Sequence, residues 1–136
     1  MINKFITALI LGAIVLSSHH LTSNKSEKLM AQTIKCNKSG TTLEMKQCAA
    51  DEYKIADQKL NQVYQKVISP LKGEQKKRLI DAEVAWITFR DKSCNFESGQ
   101  ALGGTLEGLI YANCLVRMTN DRTTYFENYI KERNSR

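Results

Sequence analysis

Apolar positions recur along most of the chain at alternating steps of three and four, the spacing that keeps one face of a helix turned toward a core. The first such seam is Ala49, Tyr53, Ala56, Leu60, Val63 and Val67. Just upstream, Thr41-Thr42-Leu43-Glu44 has the form of a capping box, so the helix is expected to begin at Thr41 or Thr42. Ser69-Pro70 and Gly73 end it, because proline disfavours helical backbone at the residue before it and glycine tolerates a turn. A second helix is predicted over residues 74–96, with the seam Leu79, Ala82, Trp86, Phe89, Ser93 and Phe96. The glycine-rich stretch Ser98-Gly99-Gln100-Ala101-Leu102-Gly103-Gly104 reads as a loop, and Thr105 stands where it could cap a third helix. That helix has a less regular seam of Tyr111, Cys114 or Leu115, Met118, Arg122, Tyr125 and Tyr129, and residues 131–136 are expected to fray.

No segment alternates with period two for long enough to make a strand. The pattern therefore predicts an all-α fold, a small bundle of three helices. Short connections make sequential helices antiparallel, so the start of the first, the end of the second and the start of the third meet at one end. Arg122 interrupts an otherwise apolar stripe. Either its stem lies along the core edge with the head in water, or it pairs with a carboxylate, for which Asp57, with Asn61 one turn on, is the expected partner.

Before the helices the pattern differs. A lysine at position 4 precedes an almost unbroken apolar run over residues 5–16, too short for the roughly 20 residues of a spanning helix, and this reads as a secretory signal. A cut after Ala31 divides the chain into a signal peptide, residues 1–31, and a domain, residues 32–136; an earlier cut near Ser17 or Ser18 and an uncleaved anchor are the alternatives. The protein is thus expected to be exported, periplasmic or secreted. Removing residues 1–31 also removes both histidines, His19 and His20, which excludes Ser-His, Cys-His and His-metal chemistry from the mature domain.

Composition adds little by itself. With 42% hydrophobic and 25% charged residues and one proline, the chain is ordinary globular material, neither collagenous nor wholly disordered. The net charge is +6, and cleavage takes away Lys4, Lys25, Lys28 and Glu27 to leave +4. Cysteine content changes the picture more. Cys36, Cys48, Cys94 and Cys114 are an even set in a small exported domain and read as disulfides; no C-x-x-C spacing suggests a metal. Of the three pairings, Cys36–Cys48 and Cys94–Cys114 are expected because each closes a short local segment. All four cysteines fall near one end of the bundle, so the other pairings stay geometrically open.

Glu44, Asp51, Asp57, Asp81, Glu83 and Asp91 are the carboxylates a hydrolase could draw on, but nothing in their spacing indicates a cleft. The cluster Lys76-Lys77-Arg78, near Lys72, could meet an anion or a charged surface, and equally reads as a solvated helix face. Interspersed acids and export argue against nucleic acid.

Five pieces in order, with the four cysteines, carry a resemblance. They are Cys36 with Thr42-Leu43-Glu44-Met45-x-x-Cys48; Ala56-Asp57-x-x-Leu60-Asn61-x-x-Tyr64; Ala85-Trp86-Ile87-x-Phe89-Arg90-Asp91-x-x-Cys94; Gly103-Gly104-Thr105; and Cys114 followed by Thr119-x-x-Arg122. Over residues 36–126 the chain resembles the lysozyme-inhibitor LprI-like family of small exported bacterial proteins. The resemblance implies a mostly helical domain, export and no known catalytic activity, and a protein partner, lysozyme, that some members bind and inhibit; neither a cofactor nor a metal is expected. Most motif residues read as fold: Leu60, Tyr64, Trp86 and Phe89 as core, Gly103 and Gly104 as turn, with Glu44, Asp57, Asn61, Arg90, Asp91 and Arg122 completing the set.

Two functional readings follow. One is a non-catalytic exported binding protein of the lysozyme-inhibitor type; the other is a cell-envelope module that contacts an acidic wall polymer, a membrane surface or a protein through basic helix faces. Animal-type lysozymes are strongly basic, so a +4 domain gains no long-range steering toward them, and binding would need a local acidic element. Glu97, Gly103, Gly104, Thr105 and Glu107 lie together in sequence and form the candidate contact. Trp86, the only tryptophan, sits mid-seam, and Trp86→Ala is expected to cost about 3–5 kcal/mol in denaturant titration; a loss under about 1 kcal/mol would make it a surface residue free for binding.

Overall fold

A computed structural model describes residues 39–136. Helices α1 (Thr42–Ile68), α2 (Gly73–Ser98) and α3 (Glu107–Asn134) are joined by a tight turn and by a loop containing the 3₁₀ turn Gly99–Ala101. The described residues contain no strand, so the fold is an all-α bundle of three helices. The expected signal peptide, and Cys36 with its expected bridge to Cys48, lie outside the described residues. No described helix is long and apolar enough to cross a membrane.

The first helix follows its sequence closely. Thr41 is the N-cap, its N–H donating to Glu44 Oε2 at 2.7 Å while Glu44 N–H donates to Thr41 Oγ1 at 3.3 Å. The Thr41 backbone N–H first, and its hydroxyl second, hold the Glu44 carboxyl below its usual pKa. Ala49, Ala56, Leu60, Val63 and Val67 are buried as the seam requires. Gly73 takes φ +53, backbone that glycine tolerates, where the chain re-enters a helix.

Helix α1 packs mainly on α3. The two run parallel: the Lys46 stem lies over Gly108, Lys59 pairs with Glu127 at 3.0 Å, and Val67 shares a cluster with Phe126 and Ile130. Small buried side chains, Ala49 and Ala56 on α1 and Thr119 and Thr123 on α3, suit this close approach. The core is a cluster of Leu60, Val63, Val67 and Phe126, flanked by Tyr64, Leu79, Trp86 and Ile130.

Helix α2 departs from the predicted seam. Phe89 and Phe96, expected in the core, are 62% and 80% exposed, and Ala82 is also exposed. The buried positions are Glu83, Arg90, Cys94 and Ser98. Apolar residues occur around most of this helix, so its pattern does not single out a face. The covalent bond between Cys94 and Cys114, with Cα atoms 5.4 Å apart, supplies the missing constraint. It turns the Cys94 side of α2 toward α3, and the residues on that side, one and three turns back, are Arg90 and Glu83. Cys94, Cys114 and Leu115 form a second cluster with Tyr53, Tyr111 and Met118.

Helix α3 also differs from expectation. It buries Cys114, Leu115, Thr119, Thr123 and Phe126, while Tyr125 and Tyr129 are exposed. Its predicted seam mixes two faces, one serving α1 and one serving α2. The helix begins after Leu106 with no side-chain cap, so Thr105 is not the cap expected of it. It runs on to Asn134 through the segment expected to fray.

The Cys94–Cys114 bridge closes 20 residues, and converting both cysteines to serine should cost about 3 kcal/mol in denaturant unfolding of the oxidised protein. A loss under about 1 kcal/mol would show that packing alone sets the rotation of α2. Non-reducing peptide mapping should recover Cys94 linked to Cys114.

Candidate functional site

Where the three helices meet, the interior is charged. Arg122 of α3 donates from Nε and Nη2 to Glu83 Oε2 of α2, at 3.0 and 2.7 Å, and both side chains are largely buried. The Arg122 guanidinium lies 5.3 Å from the Trp86 ring centre, 5.0 Å from Tyr125 and 4.5 Å from Phe126. Arg90, 7% exposed, lies 5.3 Å from the same Trp86 ring and 5.5 Å from Tyr53, and pairs with Asp91 at 2.8 Å. Trp86 is thus half-buried between two cations, an arrangement in which ring quadrupoles help offset the loss of water around each guanidinium. Burial raises the Tyr53 phenol pKa, with Arg90 acting against that rise; burial also raises Tyr64, with a smaller contribution from Glu83.

This geometry corrects the expected partner of Arg122. The contacts between α1 and α3 place Asp57 near its level along the bundle, but Arg122 projects toward α2. Asp57 instead accepts from Asn61 Nδ2 at 2.9 Å on its own helix. Glu83, the true partner, is in sequence only one of several carboxylates. Its spacing of three residues to Trp86 and seven to Arg90, one face of a helix, was the available signal.

The motif residues come together. Asp57, Leu60, Asn61 and Tyr64 on α1, and Trp86 and Arg90 on α2, line one groove of about 300 Å³ between these helices. Ile80, Val84 and Ile87, all exposed, form its wall on α2. Residues that read as separate fold positions thus share a surface. A second groove, of about 320 Å³, runs between α2 and α3 toward the other end, lined by Val67, Leu71, Gln75, Arg78, Leu79, Ala82, Arg122, Tyr125, Phe126 and Tyr129.

The candidate contact residues lie at the disulfide end. Gly103 has φ +72, and its N–H donates to Glu107 Oε2 at 2.9 Å. A Cβ on Gly104 would stand 2.9 Å from the Ala101 carbonyl oxygen, so glycine is required there. Glu97 is held by Arg117 across α2 and α3. The structure therefore ties Gly103, Gly104 and Glu107 into one braced turn, with Thr105 exposed beside it, while Glu97 is held apart from the turn by Arg117. Exposed apolar side chains surround this turn or share its end: Phe96 (80%), Leu102 (79%), Leu106 (46%) and, at the start of α1, Leu43 (77%).

Charge is divided along the bundle. Leave aside the internal Glu83–Arg122 pair. The end formed by residues 66–81 and 123–136 then carries eight cations (Lys66, Lys72, Lys76, Lys77, Arg78, Lys131, Arg133, Arg136) against four carboxylates (Glu74, Asp81, Glu127, Glu132). The remaining described residues carry six cations against eight carboxylates. The positive excess among the described residues thus lies away from the disulfide end. Among those residues no three His, Cys, Asp or Glu side chains gather as a metal site requires.

Glu83→Gln or Arg122→Ala should each cost about 3 kcal/mol, because either leaves a buried partner without its counter-charge. In a double-mutant cycle the two losses should fall well short of additive, whereas Arg122→Ala and Asp57→Ala should add. Strict additivity of the first pair would show that the two groups do not support one another.

A curated relative, "Uncharacterized protein R02472" of Rhizobium meliloti (strain 1021), is 29% identical over 101 residues, covering 65% of this chain and 73% of its own length. No solved structure matches the chain significantly. A family model described as "Lysozyme inhibitor LprI" matches residues 34–126, which include α1, α2, the braced turn and α3 through Phe126. The chain belongs to the LprI lysozyme-inhibitor family.

Proposed function

We propose that this protein is a non-catalytic, exported binding protein whose partner is a lysozyme, released after removal of residues 1–31 as a signal peptide. The observation that carries the reading is the family match across residues 34–126. The surface that suits it best is the disulfide end. Phe96, Leu102 and Leu106 there can fill an apolar interface centre, and Glu44, Glu97 and Glu107 supply an acidic rim for a basic partner. Among the described residues the excess cations lie at the opposite end, which leaves the carboxylates of this face to meet a basic protein; Lys35 and Lys38, which supply the other half of the net +4, lie outside the described residues. The braced turn limits the ordering cost of binding. Envelope contact through basic faces, the second reading, draws on that opposite end.

Turnover of a soluble oligosaccharide by lysozyme, measured with and without the purified oxidised protein, tests the reading. Inhibition should be dose-dependent and should weaken by about tenfold or more in Phe96→Ser and Leu102→Ser, whose exposure makes loss of fold unexpected. Unchanged turnover at saturating protein would overturn the reading; inhibition untouched by both substitutions would move the contact to another face.

A further inference from the structure

The groove between α2 and α3, away from the disulfide end, has features that the lysozyme reading does not use. Tyr125 and Tyr129 stand one turn apart on α3, 57% and 39% exposed, and both line the groove. Each ring is backed by a guanidinium: Arg122 lies 5.0 Å from the Tyr125 centre and Arg133 lies 6.0 Å from that of Tyr129. Arg122 is itself fixed by Glu83, so the Tyr125 ring is held against a preorganised support. Facing them, the first turns of α2 carry Gln75 and Arg78, both lining the groove. Arg78 pairs with Glu74 at 3.2 Å, but both side chains are largely exposed, so this bond is easily exchanged for another anion. Lys72 and Lys76, in the same turns, make no ion pair among the described residues.

We infer that this groove binds an anionic glycan, with Tyr125 and Tyr129 as stacking platforms for its sugar rings and Arg78, Lys72 and Lys76 as the groups that meet its anions. A pyranose offers an apolar C–H face and a polar edge, which matches a phenol ring flanked by an amide and a guanidinium. The end that bears the groove holds the positive excess of the described residues, so an anionic chain is attracted to it from a distance. A lipid surface fits less well. Membrane contact favours protruding aliphatic or phenylalanine side chains among the cations, and here most of those are elsewhere: Leu43, Phe96, Leu102 and Leu106 at the disulfide end, Phe89, Val84 and Ile87 along α2, with Ile80 turned into the other groove. The large apolar side chains exposed at the basic end are the two tyrosines in this groove and Ile80, which lines the other groove.

Purified peptidoglycan sacculi, whose peptide stems carry carboxylates, are the probe, with the same sacculi after amidation and vesicles of phosphatidylglycerol in parallel. The oxidised protein should co-sediment with untreated sacculi, less with amidated ones, and less as salt rises from about 0.05 to about 0.5 M. The double variant Tyr125→Ala/Tyr129→Ala should bind about tenfold or more weakly with unchanged helix content, Lys76→Glu/Arg78→Glu should also weaken binding, and Phe89→Ala should bind as the unmodified protein does. Absence of co-sedimentation, or tyrosine variants that bind as well as the unmodified protein, would overturn the inference. Binding to the vesicles as tight as to sacculi would replace the glycan by a lipid surface and equally overturn it. The groove and the proposed lysozyme face lie at opposite ends, so sedimentation decides this point whatever lysozyme turnover shows.

Discussion

The bond between Cys94 and Cys114 fixes the rotation of α2, and the rest of the interior follows from that rotation. Helix α1 could be docked from its own seam, but α2 has apolar residues on several sides and no strongly preferred inward face. Once Cys94 is tied to α3, the same side of α2 delivers Arg90 and Glu83 inward and carries Phe89 and Phe96 out to solvent. A covalent constraint here outweighs a hydrophobic preference. Exposing two phenylalanines forgoes on the order of 1.5–3 kcal/mol each, and what is gained is a bridge together with the pairing that the bridge permits.

That pairing is a costly way to fill a core. Two charges taken from water must recover several kcal/mol each, and an isolated ion pair often fails to do so. Here the accounting includes aromatic faces: Trp86 is shared by Arg90 and Arg122, and Tyr53, Tyr125 and Phe126 complete the surround. Directional contacts of this kind specify register more sharply than apolar packing would, since a guanidinium displaced by one helical turn loses both its carboxylate and its rings. The charged centre also separates the two grooves, with Arg90 lining one and Arg122 the other.

The two ends of the bundle consequently present different chemistry. The disulfide end is braced by the bridge, by the Glu107 bond to Gly103 and by the Arg117–Glu97 pair, and it exposes apolar side chains beside carboxylates. The opposite end exposes tyrosines beside cations. A single net charge for the domain hides this division, because long-range steering follows the local field over distances comparable to the Debye length of about 8–10 Å.

The sequence by itself determined the helices and much of their ends. The Thr41–Glu44 box, the Ser69-Pro70 break, the seam of α1 and the glycine turn are local features whose causes lie within a few residues, so they survive without knowledge of the partners. The family pieces and the Cys94–Cys114 pairing were legible for the same reason, being fixed spacings. Tertiary structure alone decided which side of α2 and α3 faces inward, that Arg122 meets Glu83 and not Asp57, that Tyr125 and Tyr129 stand exposed, and that Asp57, Asn61, Tyr64, Trp86 and Arg90 share one groove. Those outcomes depend on the rotation of one helix about its axis relative to another. Periodicity reports such an angle only when one face is clearly more apolar than the rest, and on α2 the angle was set by a bond to a residue twenty positions away.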